Sequence, residues 1–195
     1  MPTMGLPVSR SMGQLDGDFD GDVLTIGVAI EVPDPHGRQL RRWRADFGDP
    51  MAEVIPAHVT LLPPTLVAAD TTDEIAEHLA LVAKDTAPFE IKLSGTGSFR
   101  PISPVVFVRL VDGSESCDAL QQRVRTGPLR RELSFPYHPH VTVAHHLEDA
   151  ALDRAERALD QYSADFTVKG LALYEHGRDG VWRLQRSFGF DRTGG

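Results

Sequence analysis

His58-Val59-Thr60-Leu61 and His140-Val141-Thr142-Val143 decide how this chain folds. Each stretch sets a histidine and a threonine two residues apart, with an apolar residue after each. Side chains two apart on a β-strand share a face, and their neighbours point to the other. Each stretch therefore predicts a strand that shows an imidazole and a hydroxyl on one side and buries two apolar residues on the other. Eight histidines and twelve threonines among 195 residues lead one to expect about 0.5 His-x-Thr triplets. Two are roughly a one-in-ten event, and apolar residues at all four flanking positions lower this to roughly a few in a thousand. The motif histidines lie 82 residues apart, and the apolar runs that open at Val23 and Val105 are separated by the same interval.

Outward from the first motif, Val23 to Ile30 reads as a strand broken by Pro33-Asp34-Pro35. A helix follows, with Leu40, Trp43 and Phe47 on one stripe and Arg38, Arg41, Arg42 and Arg44 on a solvated face. The first motif strand is expected to stop at Pro63-Pro64, because proline cannot extend a central ladder. Thr71 and Glu74 predict a capping box for a helix with the stripe Ile75, Leu79 and Val82. Phe89, Ile91 and Leu93 alternate as a strand, and Gly95 to Gly97 reads as a turn leading to Phe99.

The second half repeats this order. Val105 to Val111 is a strand, Cys117, Leu120 and Val124 form a helical stripe, and an Arg-rich connection from Arg123 to Pro136 leads to the second motif. Leu152, Ala155 and Leu159 mark a helix, Phe166, Val168, Leu171 and Leu173 one strand, and Val181 to Phe190 another after a Gly177–Gly180 turn. Both halves read strand, helix, His-x-Thr strand, helix, strand. The repetition implies a duplication, with two lobes related by a pseudo-two-fold axis. The expected organisation is a flexible arm over residues 1–20 and a single bilobal domain over 21–195, its lobes built around 23–100 and 101–190.

A net charge of −8 argues against a protein that coats long nucleic acid, while leaving a small nucleotide or an RNA end open. The single cysteine, Cys117, sits on an apolar stripe and is expected to be buried and inert; a chain without disulfides suits the cytoplasm. No apolar run approaches membrane-spanning length, the N-terminus lacks a secretion profile, and a monomer is the expectation.

Two imidazoles and two hydroxyls brought together suit attack on a phosphodiester. One histidine deprotonates water and the other protonates the leaving oxygen, because a reference pKa of about 6.5 serves both tasks. Thr60 and Thr142 would donate to the non-bridging oxygens. His140 is assigned as base and His58 as acid. Phe99, Phe135 and Tyr137 are candidates to stack on a base, with packing as the competing fate. His145 is expected to point into the groove as a supporting cation, and His146 to lie at the strand end. His138, His140, His145 and His146 form a conceivable metal set, but Pro139 interrupts it and no cysteine joins it, so neither metal nor cofactor is expected. Arg123, Arg125, Arg130 and Arg131 either rim the groove or belong to a solvated loop; His36, His78 and His176 are assigned to the surface.

These residues make the chain resemble the 2H phosphoesterase superfamily, which includes the 2′-5′ RNA ligase and cyclic phosphodiesterase branches and is defined by two His-x-Thr/Ser motifs, one per lobe. The likeness runs from about Val23 to Phe190. It is carried also by Gly97-Ser98-Phe99 before Pro104-Val105-Val106-Phe107-Val108, and by the ending Val168 to Tyr174 followed by a hairpin. The resemblance implies an α+β fold of two pseudo-symmetric lobes, each an antiparallel sheet with helices on its outer face, around a central V-shaped groove. It implies a metal-independent enzyme hydrolysing 2′,3′-cyclic phosphates of RNA ends or related small cyclic phosphodiesters, with reversible 2′-5′ ligation in some members. The ligase branch commonly carries an arginine soon after each motif. Here Leu62 and Pro63 follow the first, and His145 stands in that place after the second. Phosphate binding is then expected from other cations or from His145. The alternatives are a module that binds RNA ends or nucleotides without turnover, and a histidine-ligated metallohydrolase.

Overall fold

The computed structural model describes residues 22–191; the arm expected over 1–20 lies outside the described residues. The chain runs β1 (Val23–Glu31), α1 (His36–Asp46), β2 (His58–Ala68), α2 (Thr72–Lys84), β3 (Phe89–Ser98), β4 (Val105–Asp112), α3 (Ser114–Val124), β5 (His140–His145), α4 (Asp149–Ala158), β6 (Ser163–Val168), β7 (Gly170–His176) and β8 (Trp182–Gly189). The repeated order strand, helix, motif strand, helix, strand is present twice, from β1 to β3 and from β4 to β6. The motif strands open on His58 and on His140.

All eight strands form one antiparallel sheet in the order β6-β3-β4-β5-β2-β1-β7-β8. Its two four-stranded halves meet where β5 pairs with β2. These halves do not coincide with the lobes expected from the chain: β3 joins β4 and β6, while β7 and β8 return to β1. The expected single strand through Phe166 and Leu173 is two strands, β6 and β7, with Lys169 between them. In a flat sheet, six strand spacings of about 4.8 Å would separate β6 from β7, far beyond the reach of one residue. The sheet is therefore curled until its ends meet. Lys169 O accepts from Phe190 N at 2.8 Å, and Phe190 stacks on Phe89 of β3 with ring centroids 6.2 Å apart.

One face of this sheet carries every helix. Leu40 and Phe47 from the α1 segment, Ile75 and Leu79 of α2, Cys117 and Val124 of α3, and Leu152 and Ala155 of α4 share one core with Val59, Leu61, Val141 and Val143. The motif imidazoles and hydroxyls stand on the opposite face, here called the open face. Among the described residues no helix is long and apolar enough to cross a membrane.

Three local expectations are corrected. β2 runs through Pro63-Pro64 to Ala68, because the ladder passes from Leu62 to Thr65 and asks neither proline for an N–H. Gly95 to Gly97 belongs to β3 as a bulge, with Gly95 at φ +64°, and is no turn. Thr71 does not cap α2: its hydroxyl donates to Ala68 O at 2.7 Å, because a short 3-10 turn over Ala69–Thr71 leads directly into the helix.

Candidate active site

The two motif strands are built alike. β1 pairs Val28 with Leu62 and Ala29 with Thr60, passing over Leu61; β4 pairs Val106 with Ala144 and Phe107 with Thr142, passing over Val143. Each strand thus carries a bulge one residue after its threonine. Residues 58–63 and 140–145 follow the same burial sequence, with Val59, Leu61, Leu62 and Val141, Val143, Ala144 buried and the others half-buried. A bulge resets the alternation of faces, so Pro63 and His145 return to the open face beside their motifs. The partners of the two threonines, Ala29 and Phe107, are 78 residues apart. The 82-residue interval between Val23 and Val105 therefore does not mark equivalent ladder positions. The second half carries a longer path between its first two strands.

Val59 pairs with Val141 across the seam. Extending that antiparallel register sets His58 opposite Thr142 and Thr60 opposite His140. Directly opposed β-carbons lie about 5 Å apart and diagonal neighbours about 7–8 Å. The four side chains form a rectangle, with histidines and threonines at alternate corners.

Both imidazoles are held in the same way. His58 Nδ1 donates to Pro56 O at 2.8 Å, and His140 Nδ1 donates to His138 O at 2.7 Å. A carbonyl only accepts, so each Nδ1 carries the proton and each Nε2 keeps its lone pair. Burial pushes His58 down to about 4, and the Arg44 and His140 charges press the same way against the bond to Pro56. Burial also lowers His140, against the bond to His138 O, with the His138 ring charge a smaller push downward. For His145 burial leads, followed by the neighbouring His146 and Arg44, with Asp49 opposing.

Phe99 and Phe107 enclose His140, their ring centroids 4.9 and 5.1 Å from the imidazole. Phe99 thus positions a motif histidine through edge-on packing. Tyr137 donates its hydroxyl to Thr60 O at 2.9 Å and packs on the core, which ties the Arg-rich connection to β2. Phe135 is 69% exposed at the rim of a cleft of about 460 Å³ shared with Gln121 and Arg125. His146 follows the last residue of β5 at φ 52° and stacks on His145 at 3.8 Å. His138 and His140 rings are 6.3 Å apart. Among the described residues no three His, Cys, Asp or Glu side chains gather to hold a metal.

Three of the four arginines of the connection serve the fold. Arg123 binds Val82 O and Asp85 at the end of α2, Arg125 binds Gln121 and Arg131 O, and Arg131 binds Pro64 O and Thr65. His78, assigned to the surface, is half-buried with Nε2 donating to Val124 O at 3.1 Å. Cys117 is fully buried, and burial raises its thiol to about 12.

Arg44 overturns the reading of its helix. Its side chain is 8% exposed, and its Nε donates to Asp49 at 2.8 Å. Asp49, 1% exposed, also accepts from Met51 N and from His145 N. The signal was present: Leu40, Arg44 and Phe47 fall at i, i+4 and i+7, the spacing of a buried stripe. Glu31 and Arg109 also escaped notice. They stand opposite His58 and His140 in the ladders, and the Glu31 carboxylate accepts from the Tyr174 hydroxyl.

Two His-x-Thr strands paired at the centre of the sheet, within a repeated order of elements, define a two-histidine α+β protein. The pattern of the 2′-5′ RNA ligase superfamily matches residues 32–180, and the chain belongs to that superfamily. A Bacillus pumilus protein named as a phosphoesterase is 32% identical over 142 residues, covering 72% of this chain and 82% of its own. A Bacillus licheniformis protein named likewise is 31% identical over 101 residues, covering 52% of this chain and 59% of its own; in such relatives the match spans under two thirds of their length. The fold is that of E. coli LigT, solved with 3′-AMP: TM-score 0.63 and 18% identity, over 88% of this chain and all of that one. A Thermus thermophilus protein gives a TM-score of 0.55 at 19% identity, over 86% of this chain and 98% of that one.

Proposed function

We propose that the chain hydrolyses 2′,3′-cyclic phosphates of RNA ends or related small cyclic phosphodiesters, with His58 and His140 as general base and acid and no metal ion. The observation that carries this reading is the matched pair of imidazoles at the seam, each with Nδ1–H given to the carbonyl two residues upstream and Nε2 left to act. A phosphate centred in the rectangle meets one Nε2 on each side, in line, with Thr60 and Thr142 at its non-bridging oxygens. Membership of a superfamily of RNA ligases and the relatives' phosphoesterase names support phosphoester chemistry in general.

The charges favour a particular division of roles. Burial and then the Arg44 charge oppose protonation of His58, and Arg44 is no cause of the shift at His140. His58 is then the ring that takes the proton from water, and His140 the one that protonates the leaving ribose oxygen. This reading exchanges the roles expected from sequence, in which Arg44 was given to a solvated face.

The test is incubation of the pure protein with a panel of 2′,3′-cyclic nucleotides, the monophosphates and their 2′ or 3′ position read by phosphorus NMR, with and without chelator. Turnover indifferent to chelator is expected. Tight binding without product would favour the non-catalytic module. Loss on chelation with recovery on adding a divalent ion would favour the metallohydrolase.

A further inference from the structure

We propose that Arg44, reaching the end of the seam from α1, is the principal cation that binds the substrate phosphate. The proposal rests on the reading of the site as one for phosphodiesters, and it names a residue outside both motifs.

Three observations carry it. The first is the cost of the arrangement. Arg44 is a guanidinium with a side chain only 8% exposed, and of its donors only Nε is bonded, to Asp49. Its two Nη groups have no hydrogen-bond partner among the described residues, yet they are absent from the fully buried unpaired atoms, where the Tyr162 hydroxyl stands alone. They therefore keep contact with solvent. A cation so far withdrawn from water and so incompletely paired is unfavourable unless an anion completes it.

The second observation is Asp49. Its carboxylate accepts from Arg44 Nε, Met51 N and His145 N, and so fixes the guanidinium against β5. Two backbone N–H groups share the carboxylate with Arg44 Nε; the pair is neutral overall, and the Nη end of the guanidinium takes no part in it. Nε is used for anchoring, and the Nη pair presents the forked geometry that grips two phosphate oxygens at once.

The third is location. The Arg44 charge is felt at His58 and at His145 alike. Asp49 also binds His145 N, so the guanidinium it holds stands at the His145 end of β5, on the His58 side of the seam. The equivalent corner beside His140 has Pro63 in place of His145, and Arg131 nearby is spent on Pro64 O and Thr65. The cation therefore stands at one end of the site, and a phosphodiester would seat with the non-bridging oxygen at Thr142 toward Arg44.

The experiment uses the full chain, inorganic phosphate as probe, and the imidazole resonances of His58 and His145 as reporters, alongside the hydrolysis of 2′,3′-cyclic AMP. Arg44→Met should lose about tenfold or more of the phosphate affinity, the scale of one charge-assisted contact. Arg44→Lys should recover part of it, and KM should rise more than kcat falls. Because Arg44→Met leaves the buried Asp49 without its counter-ion, Arg44→Met/Asp49→Asn is made beside it so that a folded variant without the cation is in hand. Phosphate affinity within twofold of the parent in that folded double variant overturns the proposal, as does a parent whose two reporters ignore phosphate. Arg44-dependent phosphate binding without hydrolysis of any cyclic nucleotide sinks the hydrolase reading and leaves the anchor standing. Hydrolysis indifferent to Arg44 does the reverse.

Discussion

Val59 and Val141 face each other in the single residue pair that joins β2 to β5 among the described residues. Each is the residue between the histidine and the threonine of its motif, and each is fully buried. They stand at the middle of the eight-strand order. Because the strands are antiparallel, one contact fixes the placement of all four polar side chains, and it does so from the helix side of the sheet, out of reach of substrate.

The choice of leaving group can tell base from acid. His58→Ala and His140→Ala should each lower hydrolysis of a 2′,3′-cyclic nucleotide by about 10²–10⁴ with folding retained. A nitrophenyl phosphodiester releases an oxygen that needs no proton, so it should rescue His140→Ala and leave His58→Ala inactive. Rescue of His58→Ala alone would restore the opposite roles. Thr60→Ala and Thr142→Ala should weaken turnover less than either histidine change. Equal losses would mean that the hydroxyls do more than donate to phosphate.

Stability should follow His58 in a defined window. Its folded value is near 4 against about 6.5 in the unfolded chain. Between these values the unfolded chain binds more protons, so stability rises with pH. The contribution is complete above about 6.5 and is lost as pH falls to about 4. It amounts to at most about 3 kcal/mol. Urea midpoints of His58→Gln should change less between pH 4 and 7 than those of the parent; parallel slopes would refute the assignment. In kcat/KM both limbs should fall below about 6.5, since burial lowers both imidazoles.

Tyr137→Phe tests a side chain first expected to touch substrate. Its hydroxyl is already given to Thr60 O at 2.9 Å. Its removal should cost about 1 kcal/mol of stability and leave KM for a cyclic nucleotide unchanged. A large rise in KM with unchanged stability would return Tyr137 to the binding surface.

The alternation around each motif made the strands, their faces and the repeated element order legible, because period-two burial is written residue by residue. The register was not. A bulge such as those at Leu61 and Val143 depends on the partner strand, and the equivalence of Val23 with Val105 dissolved once the ladders showed Ala29 and Phe107 as the true counterparts. The exchange of β3 and β7 between halves is a long-range pairing choice that no local pattern encodes. Of the site, His58, His140, Thr60, Thr142 and His145 were visible on their strands. Arg44 was hidden by the habit of giving arginines to the solvated face, although its stripe position pointed inward.

Gly97 is where positioning can be separated from chemistry. A β-carbon there would lie 2.7 Å from the Phe107 ring, inside any allowed contact. Phe107 is 4% exposed and packs on Phe99, His138 and His140, so it has little room to yield. Gly97→Ala should therefore cost about 1–3 kcal/mol of stability through overpacking, and the displaced ring should press on His140. The rate should fall at a temperature where the variant is still fully folded, and the limb of the pH profile belonging to His140 should move while that of His58 stays. A folded Gly97→Ala protein with the parent rate and profile would show that the aromatic wall packs beside His140 without setting its position.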